Sequence, residues 1–125
     1  MSDLPLIIEA SQLSQQLKAP ELLLVDLNPG EHYRQAHIPA AVQLDYAAIV
    51  AAQAPVMGLL PNAGHLSRVF SAIGLTSDKH VVAYDSEGGG KAGRLIYTLH
   101  AIGHEQCSWL NGGLLAWQAA GLPVE

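Results

Sequence analysis

Val81-Val82-Ala83-Tyr84-Asp85-Ser86-Glu87-Gly88-Gly89-Gly90-Lys91 is the stretch whose reading decides the fold. Four apolar residues of strand length run into a glycine-rich loop. From Ala92 onward Leu95, Ile96, Leu99 and Ile102 then recur on one helical stripe, which Gly103 ends in the manner of a C-terminal cap. A strand that passes through a short loop into an amphipathic helix is the repeating step of α/β domains. In such a step backbone N–H groups and a helix N-terminus converge on one spot, a common place for chemistry. This loop supplies that spot with the carboxylate of Asp85.

Further apolar runs of strand length lie on either side: Leu6-Ile8, Leu22-Val25, Ala41-Leu44 and Gln106-Leu110. They are mostly continuous rather than alternating, as strands covered on both faces are. Helical segments separate them. Ser11 is placed to cap a helix through Leu13 and Leu17, and Glu31 to Ala36 forms a short helix after the Asn28-Pro29-Gly30 turn. Pro61-Asn62 opens a helix carrying Leu66, Val69, Phe70 and Ile73, closed by Gly74. Gly112-Gly113 opens the last helix through Leu114, Leu115 and Trp117, which Gly121 and Pro123 close. Ala47 to Ala54 reads as helical and Pro55 to Pro61 as loop. The pattern predicts one α/β domain over residues 1–125, with a mainly parallel five-stranded sheet and helices on both faces.

Half of the 125 residues are hydrophobic, enough for one core and too few for two ordinary ones. Eleven acidic against six basic residues give a net charge of −5, which argues against a nucleic-acid or anionic-membrane partner. The N-terminus Met1-Ser2-Asp3-Leu4-Pro5 has no basic or long apolar run. Neither secretion nor a membrane span is signalled, and a cytoplasmic location is expected. Cys107 is the sole cysteine, so an intramolecular disulfide and a CxxC site are excluded.

The loop's Gly90-Lys91 ending superficially resembles a phosphate-binding P-loop. Walker A requires glycine at the first position and Ser or Thr after the lysine, where this chain has Asp85 and Ala92. Asp85 and Glu87 would also repel a polyphosphate. Taken alone, Asp85, Ser86 or Glu87 reads more simply as satisfying free N–H groups at the helix start. Among the six histidines, His100 and His104 are separated by the helix-ending Gly103, and His32 and His37 straddle a turn. With no third ligand at a diagnostic spacing, no metal site is expected. Cys107 falls inside an apolar run, where a lone cysteine is usually a small buried hydrophobe. Ser86 lies beside Asp85 but has no Gly-x-Ser-x-Gly elbow around it.

Two segments resemble the rhodanese (sulfurtransferase) family. The first is Leu24-Val25-Asp26-Leu27 followed by Glu31-His32-Tyr33-Arg34-Gln35-Ala36-His37-Ile38-Pro39-Ala40-Ala41. The second is Leu110-Asn111-Gly112-Gly113-Leu114-Leu115-Ala116-Trp117 with Gly121-Leu122-Pro123-Val124. Together with Val82-Ala83-Tyr84 they span nearly the whole chain, with Ala36 and Ala40 standing for the family's glycines. The resemblance implies a rhodanese-like domain. It also implies that the residue after Tyr84 is where catalytic members carry the cysteine that takes up sulfane sulfur as a persulfide. Asp85 stands there, and a carboxylate cannot accept or pass on that sulfur, so the domain is expected to have no catalytic residue of its own.

The run from Tyr84 to Arg94 is similar to the N-terminal half of two-domain bacterial thiosulfate sulfurtransferases, in which the first domain is inactive and the second carries the cysteine. On that resemblance the partner is a C-terminal catalytic domain. The residues facing the cleft between the two are Asp85, Ser86, Glu87, Gly88, Gly89, Gly90, Lys91 and Arg94. Lys91 and Arg94 are placed to steer a thiosulfate-type anion or to pair with Asp85 and Glu87. No cofactor is implied. Two alternatives stand beside this reading: a stand-alone inactive module that binds a protein or small anion through its loop, and an enzyme using Asp85 as nucleophile or base. The fold also resembles that of Cys-x5-Arg phosphatases, but Asp85 and Lys91 occupy both diagnostic ends.

Overall fold

The continuous apolar strands are covered on two sides in the computed structural model, which describes residues 4–53, 56–59 and 63–125. The strands are β1 (Ile7–Ile8), β2 (Leu22–Asp26), β3 (Val42–Gln43), β4 (Ala51–Gln53), β5 (Val56–Leu59), β6 (His80–Tyr84) and β7 (Cys107–Leu110). The helices are α1 (Ala10–Ser14), α2 (Gly30–Gln35), α3 (Ala63–Ala72), α4 (Gly90–Ala101) and α5 (Gly113–Ala119). Five strands form one sheet in the order β1-β7-β6-β2-β3, and every pairing within it is parallel. β4 and β5 form a separate antiparallel pair.

Alternation within the strands explains why they read as continuous. Leu23, Val25, Val81, Ala83 and Cys107 point into one core with Leu66 and Phe70 of α3 and Leu95 and Leu99 of α4. Leu24, Val82, Tyr84 and Leu110 point into the other, against Leu13 of α1 and Leu114 and Trp117 of α5. Most residues of the central strands β2, β6 and β7 are thus buried on one face or the other, the arrangement that parallel crossovers impose.

Three local expectations are corrected. α1 begins after Glu9, not Ser11, because the Glu9 N–H donates to Gln12 Oε1 at 2.9 Å; the helix ends at Ser14, short of Leu17. The segment expected to be helical from Ala47 makes one 3₁₀ turn, Tyr46–Ile49, and then enters β4. Alanine's helix propensity gives way there to pairing with β5, a tertiary override of a weak local preference. β5 itself falls inside the stretch expected to be loop. Asn62 and Pro61, read as the start of α3, lie outside the described residues.

Candidate functional site at the Asp85 loop

Parallel strands deliver their loops to one edge of the sheet, at their carboxyl ends. β2 connects outward to β3 while its neighbour β6 connects the other way to β7, so the chain reverses direction between them. Such a switch point opens a crevice between the two loops. Asn28, after β2, and Ser86, after β6, meet across it: the Ser86 N–H donates to Asn28 Oδ1 at 2.8 Å, and Asn28 Nδ2 donates to Ser86 Oγ at 3.0 Å.

Asp85 turns inward and is only 2% exposed. Its Oδ1 accepts the N–H groups of Glu87 and Gly89, each at 2.9 Å, and its Oδ2 accepts the Ala92 N–H at 2.9 Å. Three backbone donors at the start of α4 thus converge on one carboxylate. Fixed N–H dipoles and a helix N-terminus both favour negative charge, and Asp85 supplies it from within. Of the roles open to it in the sequence, filling free N–H groups is the one the geometry realises.

Glycine is required at two contacts. Gly89 has φ +94°, and a Cβ there would stand 2.9 Å from the Trp109 ring. Gly113, with φ +57°, packs so tightly on the loop that a Cβ would fall 2.0 Å from the Asp85 carbonyl oxygen. Between these two turns lies a cleft of about 310 Å³, walled by Gly88, Gly89, Trp109 and Gly112 and rimmed by the exposed Ile7.

Lys91 makes the pairing with Glu87 that the sequence offered as one alternative. Lys91 Nζ pairs with Glu87 Oε2 at 2.7 Å and lies 5.9 Å from the centre of the Tyr46 ring. This half-exposed pair, four residues apart on the chain, contributes little net stability. The Arg94 guanidinium lies over Tyr97, 5.3 Å from the ring centre. Asp85, Ser86, Glu87, Gly88, Gly89, Gly90 and Lys91 therefore share one loop and helix start, with Arg94 a turn beyond. The partners of the Asp85 carboxylate are backbone N–H groups.

Cys107 lies apart from this loop. It is 3% exposed, and burial pushes its thiol up to about 11. Its strand register pairs it with Val81, four residues before Asp85, which is roughly 13 Å along the strand at a normal rise per residue. Of the histidines, His80 is buried against Ser108 Oγ at 2.7 Å, and His65 and His104 bond the carbonyls of Ala48 and Lys79. Among the described residues no three His, Cys, Asp or Glu side chains are grouped to hold a metal ion, and no helix is long and apolar enough to cross a membrane.

Sequence reasoning missed Asn28, Asp26 and Trp109 as parts of the site. Asn28 reads as a turn residue, yet it is 1% exposed and clips the two loops together. The Asp26-x-Asn28 pattern at the carboxyl end of a buried strand is the signal that could have marked it.

Residues 9–120 match the model of the rhodanese-like domain. The chain is 48% identical to a thiosulfate sulfurtransferase of Pseudomonas aeruginosa over 94% of its length and 44% of the relative's. It is 42% identical to a thiosulfate sulfurtransferase of Azotobacter vinelandii over 98% of its length and 45% of the relative's. The chain therefore spans less than half the length of these curated relatives. A solved 3-mercaptopyruvate sulfotransferase of Escherichia coli superposes with a TM-score of 0.87 at 27% identity, covering 98% of this chain and 50% of that one. The parallel five-stranded sheet, the loop after its central strand and these matches agree: the chain belongs to the rhodanese-like sulfurtransferase family.

Proposed function

We propose that this chain is a non-catalytic rhodanese domain of a thiosulfate:cyanide sulfurtransferase, completing the cleft of a second domain that carries the persulfide-forming cysteine. One observation carries the reading: the three N–H groups at the start of α4 are taken by the Asp85 carboxylate. Sulfur transfer needs a thiolate that displaces sulfite from thiosulfate, keeps the sulfane sulfur as a persulfide and yields it to cyanide as thiocyanate. A carboxylate has no such chemistry, and Cys107 is a buried, protonated thiol on the neighbouring strand. The match to less than half of each sulfurtransferase relative supports a missing second half.

The alternative, a stand-alone module that binds a protein or small anion through its loop, draws on the cleft beside Gly89 and Trp109. Two measurements separate the readings. The chain alone, mixed with thiosulfate and cyanide, should form no thiocyanate above the protein-free rate; turnover that Cys107→Ser abolishes would sink the proposal. A thiosulfate titration followed by tryptophan emission should show no saturable change, since Asp85 already fills the N–H groups next to Trp109. Saturation in the native chain would favour the binding module.

A further inference from the structure

Asp26 ends β2 with its carboxylate wholly buried. Each of its oxygens serves a different part of the molecule. Oδ1 accepts the Asn28 N–H at 2.7 Å, and the Asn28 side chain holds Ser86 of the Asp85 loop through two hydrogen bonds. Oδ2 accepts the Tyr84 hydroxyl at 2.7 Å, and that hydroxyl oxygen in turn accepts the Ile38 N–H at 3.0 Å. His37, next in the chain, exchanges two backbone hydrogen bonds with Glu125, at 3.0 and 2.8 Å. Trp117 Nε1 fixes the same segment by donating to the Pro123 carbonyl at 2.7 Å.

Asp26, Asn28, Tyr84 and Ile38 are each 1% exposed or less. Water cannot replace a partner that moves, so an arm that breaks leaves a polar group unsatisfied in low dielectric. The two arms share one charge, and displacement of either changes what holds the other.

We infer that Asp26 is a positioning residue that couples the Asp85 loop to the C-terminal segment 122–125, one carboxylate oxygen serving each. Its use rests on the function proposed above, in which the loop faces a second domain. The coupling itself belongs to this chain alone.

Amide hydrogen exchange on the full chain tests it. Tyr84→Phe cuts the Oδ2 arm, and its effect should cross Asp26: exchange at Asn28, which donates to Oδ1, should rise roughly tenfold or more along with that at His37 and Glu125, while the Trp109 and Asn111 amides of the β1–β7 pairing hold steady. Asn28→Ala, which cuts the other arm, should speed exchange at Glu125. Ser14→Ala, which removes a hydroxyl bond to the Ser11 carbonyl on α1 outside this chain of contacts, should leave Asn28 and Ser86 unchanged. If Tyr84→Phe does not fold, Asp26→Asn keeps the shape and should speed exchange at both ends. Changes confined to the residues beside each substitution, or a uniform rise at every amide, would overturn the coupling. Sulfur transfer plays no part in this measurement, so its outcome and that of the activity assay can fail separately.

Discussion

A Cβ on Gly113 would stand 2.0 Å from the carbonyl oxygen of Asp85, the same oxygen that accepts the Leu114 N–H at 3.1 Å. The turn before α5 and the loop after β6 are therefore in backbone contact, with no room for a side chain. Gly113→Ala should destabilise the chain by about 3 kcal/mol, since it combines a left-handed φ with a backbone clash. Urea unfolding checks this: the midpoint should fall with the slope unchanged.

The Asp85 carboxylate satisfies three N–H groups that have no other acceptor in the loop. Asp85→Ala should cost about 2–4 kcal/mol, the scale of charge-assisted hydrogen bonds lost to buried donors. Asp85→Asn should recover only part of this, because its amide nitrogen would face the Ala92 N–H, or its oxygen would leave Glu87 and Gly89. Thermal unfolding of the two variants should rank them in that order.

Cys107 should be inert in the folded chain. With its thiol pushed from 9.0 to about 11 by burial, the thiolate fraction at neutral pH falls about a hundredfold from ionisation alone, before access is considered. A thiol-reactive disulfide reagent should label the native protein slowly and the urea-unfolded protein fast. Equal rates would contradict the placement of Cys107 in the core.

Stability should decline as pH falls below about 6.5, the ordinary range of histidine titration. Burial, with a smaller contribution from His104, holds His80 below that value. The Ser108 hydroxyl donates to the Pro5 carbonyl, so His80 Nε2 donates to Ser108 Oγ. The unfolded chain then takes up the proton first, and the stability present above the ordinary value is lost as pH falls through the folded one. Asp26, raised chiefly by burial, works in the opposite sense, losing stability as pH rises from 3.8 through its folded value. The His80 share is isolated by comparing urea midpoints of the native chain and His80→Gln between pH 8 and 5: the difference should change across that window.

Ala40 has φ +72°, the left-handed region that costs a non-glycine residue about 1 kcal/mol. Ala40→Gly should raise the melting temperature by a few degrees. Ala36, the other family glycine replaced here, is extended at φ −163°, so its glycine substitution should bring no such gain.

The two alanines illustrate how far the sequence could be read. Their place in the family motif was legible, but only the backbone separates a strained replacement from a harmless one. Long elements such as α3 and α4 were legible because apolar spacing and terminal glycines agree over several turns. The segment from Tyr46 to Leu59 was not, since its alanines favour helix locally and the pairing of β4 with β5 overrides them.

By itself the sequence determined the α/β class, the five strands of the parallel sheet and the absence of a thiol after Tyr84, because these follow from hydrophobic pattern and residue identity. Only the tertiary structure decided what Asp85 does instead, and that Asn28, Ser86 and Gly113 close around its loop. Those contacts join residues up to 58 positions apart. They depend on the order in which parallel strands lie side by side, and no local spacing in the chain encodes that order.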